Sequence, residues 1–95
     1  MASKVTPIAI EDQRPIYEIA REIKADWSKV NYAAAPYLDA MQFLTTMEDE
    51  YYADSATSVI RYFLSNAASW RGPAAQQIKA ELKGMLPLDR NIHKL

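Results

Sequence analysis

The 95 residues are enough for one domain, and hydrophobic types at 49% with charged types at 24% describe ordinary globular usage rather than a disordered chain. There is no cysteine, so disulfides and thiolate metal sites are excluded, and the two glycines, Gly72 and Gly84, cannot build a glycine-rich phosphate loop. Net charge is only -1, yet it is unevenly spread: 35–60 holds five acids and no base, whereas 61–95 holds six bases and two acids, a separation that invites head-to-tail association or an anionic ligand on the basic part.

The opening residues, 1–11, carry one apolar cluster, Ile8 to Ile10, behind the turn-former Pro7, and read as an N-terminal arm. No stretch approaches the roughly 18 apolar residues of a membrane span, so neither secretion by a leader nor membrane insertion is expected and the cytoplasm is the simplest compartment. From Asp12, a potential cap, Ile16, Ile19, Ala20, Ile23 and Trp27 recur at helical spacing, with Pro15 tolerable in the first turn. This first helix ends near Trp27 or Ser28, and 28–35 is a connector because Pro36 disfavours helix in its predecessor and suits the first turn of the next.

Tyr37, Leu38, Met41, Phe43 and Leu44 form the apolar face of a second helix running to about Met47, after which an acidic turn, Glu48 to Asp54, reverses the chain. Asp54 or Ser55 caps a third helix, expected to be central, with Ala56, Val59, Ile60, Phe63, Leu64 and Ala67 facing inward. Its other side, Ser55, Ser58, Tyr62, Ser65 and Ser69, is small and polar enough for either a subunit contact or solvent. Gly72 ends that helix and Pro73 opens a fourth with Ile78, Leu82 and Met85 on its buried side; Pro87 stops it. The tail, 87–95, offers Leu88, Ile92 and Leu95 for docking. The expected fold is therefore all-α, a single bundle of about four helices, and its small size favours assembly with copies of itself.

The chemistry of catalysis is missing. His93 is the single histidine, with no second imidazole or thiol to join it on a metal, and no serine has a base to activate it. The carboxylates Glu48, Asp49, Glu50 and Asp54 lack the spacing and glycine of a calcium loop. Neither an enzyme nor a cofactor is expected. Two segments suit a nucleotide-like anion. In one, Lys24 and Lys29 lie near Trp27, Asn31 and Tyr32, so that an ammonium can meet a phosphate while a ring meets a base, although Trp27 reads better as core. In the other, Arg71 precedes a helix whose free amides at 74–76 point into the same space, with Trp70 beside it and small Ala74 and Ala75 allowing close approach. Sealing of the core by Trp70, with Arg71 paired to the acidic turn, is an equal reading of that segment.

Ile19-Ala20-Arg21-Glu22-Ile23, Pro36-Tyr37-Leu38-Asp39-Ala40-Met41, Tyr62-Phe63-Leu64-Ser65-Asn66-Ala67, Trp70-Arg71-Gly72 and Ile78-Lys79-Ala80-Glu81-Leu82-Lys83 resemble a group of short phage-encoded helical proteins, the anti-CBASS cyclic-oligonucleotide sponges, over roughly 11–85. The resemblance implies a compact helical protomer, a homo-hexamer, and sequestration of cyclic dinucleotides and cyclic trinucleotides without cleavage in the cytoplasm of an infected bacterium. It also implies a dinucleotide pocket between protomers, with an aromatic residue of the first helix at Tyr17, or Arg14 in that place, and Lys29 and Asn31 from the connector. A separate trinucleotide site would gather around Arg71, with Trp70 and Ala75 as neighbours. The rival readings are a phage interaction module that covers a host protein through the acidic turn and serine face, and DNA or RNA binding through Lys79 and Lys83. The sparse basic surface argues against polymeric nucleic acid.

Overall fold

The computed structural model describes residues 13–87, which form four helices and one short hairpin. The N-terminal arm, the Asp12 cap, His93 and the tail residues Leu88, Ile92 and Leu95 lie outside the described residues.

Helix α1 is Ile16–Asp26, with Ile16, Ile19, Ala20 and Ile23 buried along one stripe. Pro15 precedes it as the cap residue, in extended geometry and without a capping side chain, rather than sitting in its first turn. The free amides at this end are satisfied from elsewhere in the chain. Ile16 donates to the Thr45 carbonyl at 3.0 Å and Tyr17 to the Leu44 carbonyl at 2.9 Å, which fixes the start of α1 against the segment that follows the second helix.

Helix α2, Ala35–Met41, starts with Pro36 in its first turn and buries Leu38, Ala40 and Met41. It stops a turn and a half short of Met47. Gln42, Phe43 and Leu44 tighten into bonds to Asp39, Ala40 and Met41, three residues back, and the Asp49 carboxylate then accepts the Thr45 amide at 2.7 Å and the Thr46 amide at 3.2 Å. Phe43, expected on the buried face, is instead 71% exposed, because the chain has already left the helix when it is reached.

The acidic turn does reverse the chain, but it does so as a hairpin, so the fold is mostly helical rather than all-α. Strands β1 (Glu50–Tyr51) and β2 (Asp54–Ser55) pair antiparallel, Glu50 opposite Ser55 and Tyr51 opposite Asp54. The two-residue loop requires a left-handed backbone at Tyr52, φ +57°, where glycine is the usual choice. Asp49 holds the base of this loop, and its hydrogen bonds from the Thr45 and Thr46 amides keep its carboxyl below the usual aspartate pKa. A depressed carboxyl stabilises the fold above the unfolded-state pKa and ceases to do so as pH falls through the folded value. Acid denaturation of Asp49→Asn should accordingly show a smaller loss of stability on going from neutral to acidic pH than the parent chain, followed by circular dichroism.

Ser55 caps helix α3, Ala56–Ser65, its Oγ accepting the Ser58 amide at 3.1 Å. Ala56, Val59, Ile60 and Phe63 are buried, while Leu64 is only half-buried. The helix ends at Ser65, well before Gly72, as the Asn66 side chain turns back on the Tyr62 carbonyl at 2.8 Å. On the serine stripe Ser55 and Ser58 bond each other and Ser65 bonds the Arg61 carbonyl, while Tyr62, Ser65 and Ser69 stay exposed. Gly72 instead precedes helix α4, Pro73–Met85, at φ +111°, a backbone state almost reserved for glycine. Space for a methyl group is open there, so strain alone is tested by Gly72→Ala, which should lower stability by about 1 to 3 kcal/mol in urea titration. Leu86 is extended before Pro87, which ends α4 as expected.

The helices pack α4 beside α1, α1 beside α2 and α2 beside α3, and Phe63 of α3 reaches the Trp27 and Trp70 rings. Arg14 ties α1 to α4 through Glu81 at 2.8 Å and Glu22 at 2.6 Å, and these two carboxylates hold the guanidinium firmly protonated. The open cleft beside it, about 320 Å³ and lined also by Ala74, Gln77 and Ile78, is thus walled by charges already paired with one another. No described helix is long and apolar enough to cross a membrane.

Candidate functional site

The direction of α1 divides the molecule into two ends. Its start is bonded to Leu44 and Thr45, close to the hairpin, and its last residue, Asp26, accepts the Trp70 indole N–H at 2.8 Å. The second end therefore collects the connector 27–34, the turn 66–72 and the beginning of α4.

Two indoles form its wall. Trp27 and Trp70 stack with centroids 5.7 Å apart and planes 12° from parallel, and both meet the Phe63 ring edge-on. They are 8% and 2% exposed, so Trp27 is core as expected, and Trp70 seals the core instead of offering a ring to a ligand. Ala75 is likewise buried at 1% and offers no side-chain surface. What remains at the start of α4 is backbone: the Ala74 and Ala75 amides precede the first helical bond, which Gln76 makes to the Gly72 carbonyl at 3.0 Å. Gln76 thus drops out of the expected set of free amides.

Cations surround this wall. Arg71 and Lys29 are exposed and have no carboxylate partner among the described residues, so the pairing of Arg71 with the acidic turn does not occur. Lys79 reaches back along α4 to donate to the Trp70 carbonyl at 2.7 Å, lying 5.8 Å from the Trp70 ring centre. In the sequence Lys79 marks only a nucleic-acid face. Burial, reinforced by the positive charges of Lys83 and Arg71, holds its pKa below the usual lysine value. An anion arriving there would relieve that repulsion.

Asn31 is exposed and bonded on both sides of its amide. Its Oδ1 accepts the Ala33 amide at 3.0 Å and its Nδ2 donates to the Asn66 carbonyl at 3.3 Å, which clips the connector to the end of α3. Lys29 and Tyr32 lie close to it along the chain, and Tyr32 is 88% exposed. Tyr17 lies elsewhere. Nine residues of α1, roughly 14 Å of helix axis, and then a turn separate it from Lys29, and the Arg21 guanidinium lies 5.6 Å from its ring centre. Arg14, the other candidate for that place, is held by Glu22 and Glu81. Within the chain the structure brings Lys29, Asn31, Trp70, Arg71 and the α4 amides to one end and leaves Tyr17 at the other.

Among the described residues no group of histidines and carboxylates could hold a metal ion. The arrangement can attract and orient an anion at a cationic, aromatic-walled end. No protein-family model, curated protein or solved structure matches this chain.

Proposed function

We propose that this protein is a sponge for cyclic dinucleotides and trinucleotides, which it sequesters without cleavage and thereby antagonises CBASS antiphage defence in the host cytoplasm. The observation that carries the reading is the pair Lys29 and Arg71, two exposed cations without carboxylate partners among the described residues, flanking a stacked indole wall and the unbonded amides of a helix start. A cyclic oligonucleotide presents phosphates to the cations and amides and bases to exposed rings, and stacking contributes ~1 to 3 kcal/mol per base. Trp70 and Ala75 act here from behind, as support for Arg71 and as room at the helix start, while Tyr32 supplies an exposed ring.

Tyr17 and Lys29 stand at opposite ends of α1, so a pocket using both takes Tyr17 from one copy and Lys29 from another. Sequestration then depends on assembly, a homo-hexamer in this reading, and the bound ligand stabilises that assembly in return. Incubation with each cyclic nucleotide, followed by denaturation and chromatography of the released ligand, tests the reading. Stoichiometric recovery of intact cyclic ligand is the expected result; linear products or an unretained ligand would contradict it.

A further inference from the structure

The hairpin end carries an aromatic face that the nucleotide reading leaves unused. Phe43 and Tyr52 are 71% and 86% exposed, and Tyr51 joins the three rings into one surface: Phe43 stacks on Tyr51 at 5.6 Å, and Tyr52 meets Tyr51 edge-on at 4.6 Å. Single exposed rings are common, but contiguous apolar patches mark contact sites. Tyr52 moreover holds the left-handed position of the loop, φ +57°, which glycine would occupy without strain. The chain thus keeps a ring in water at a backbone position that disfavours any side chain.

The hairpin register sets a carboxylate beside these rings. Tyr51 lies opposite Asp54 and Glu50 opposite Ser55, so the Tyr51 and Asp54 side chains share one face of the ribbon and Glu50 leaves from the other. Asp54 is exposed, and its carboxylate has no cation or hydrogen-bond donor among the described residues. Glu48 and Glu50, both exposed, add to the negative field, and 35–60 contains no base to offset it. The occupant that complements this field is cationic, not a phosphate or a nucleic acid.

Its shape follows from the rings. They contact one another directly, so they present outer faces rather than a gap that could enclose a compact ammonium. Arginine meets both requirements. Its guanidinium stacks flat on an aromatic face while its fork of N–H groups donates two parallel bonds to a carboxylate; a lysine ammonium has neither the plane nor the fork.

We propose that this face is a docking site for an arginine side chain of a different protein, with the guanidinium lying on the Phe43–Tyr51–Tyr52 rings and donating to Asp54. The Lys29–Arg71 end stays with the nucleotide, since α1 separates the two ends. Docking requires no nucleotide and stands or falls apart from the sponge reading.

Fluorescence anisotropy of a labelled, amidated five-residue peptide of alternating arginine and leucine, titrated with the full chain in the absence of nucleotide, tests it. The parent should bind this peptide about tenfold more tightly than the same peptide built with lysine. Tyr52→Gly and Asp54→Asn should each weaken binding of the arginine peptide by about tenfold. Tyr52→Gly also relieves the left-handed backbone, so it should melt at or above the parent temperature, which separates a lost contact from a lost fold. A folded parent that does not bind the arginine peptide, equal affinity for the two peptides, or either variant binding like the parent overturns the proposal. So does an arginine-peptide affinity that falls as total chain concentration is raised, which would give the face to a second copy.

Discussion

Replacing Trp70 by alanine should cost about 3 to 5 kcal/mol, a large fraction of the roughly 5 to 15 kcal/mol that holds a typical domain together. The indole is 2% exposed, stacks on Trp27, abuts Phe63 and carries the bond to Asp26 that joins the end of α1 to the turn before α4. Its removal leaves a cavity at the one place where the connector, the end of α3 and the start of α4 converge. Trp70→Phe keeps a ring in that space and loses the N–H bond to the Asp26 carboxylate, so it should cost much less, about 1.5 kcal/mol. Urea denaturation of the two variants checks the ordering. A Trp70→Ala chain with the parent's midpoint but without ligand affinity would make the indole a ligand contact and contradict its role as core.

The second large effect concerns the two unpaired cations. A hydrogen bond to a charged group is worth about 1.5 to 3 kcal/mol, and loss of one phosphate contact therefore corresponds to roughly 10- to 150-fold in Kd. Lys29→Ala should weaken cyclic dinucleotide binding by that factor while trinucleotide binding changes little, and Arg71→Ala should do the reverse. Both side chains are exposed, so neither change should lower the urea midpoint appreciably. The discriminating measurement is Kd for both ligands on both variants. Equal losses of both ligands in both variants would merge the two sites into one, which the shared end makes a sharp test: the Trp27–Trp70 stack and the Asn31–Asn66 bond place the connector directly beside the Arg71 turn.

What was legible in the sequence follows the physics that acts over a few residues. Helical apolar spacing locates all four helices, and Pro36, Ser55 and Pro73 mark three starts correctly, because caps and proline restrictions are local. The stops were harder. Helix α2 ends early because Asp49 captures the Thr45 and Thr46 amides, and α3 ends early because Asn66 folds back on Tyr62; both are side-chain choices that the apolar pattern does not encode. The hairpin leaves no mark on the pattern because each strand is two residues long, too short for any alternation. A signal is nonetheless present in Thr46, three residues before Asp49, the spacing of a reciprocal side-chain cap.

The site divides in the same way. Residue type sufficed to mark Lys29 and Arg71 as available cations, but burial decides what an aromatic or an alanine can do, and burial is a property of the whole packing. Trp70 and Ala75 are accordingly buried and leave no side-chain face for a ligand, whereas Asn31 stays exposed while bonding Ala33 and Asn66. Lys79, by contrast, entered the site through a long side chain that reaches back two turns of α4 to the Trp70 carbonyl, a contact that spacing along the chain does not suggest.

The most direct test of the sponge reading is isothermal titration of the purified chain with a cyclic dinucleotide and a cyclic trinucleotide. Tight, saturable binding of both, at a ratio of no more than one ligand of either kind per protomer, is the result predicted. A folded chain that releases no heat and shows no affinity with either ligand would contradict it.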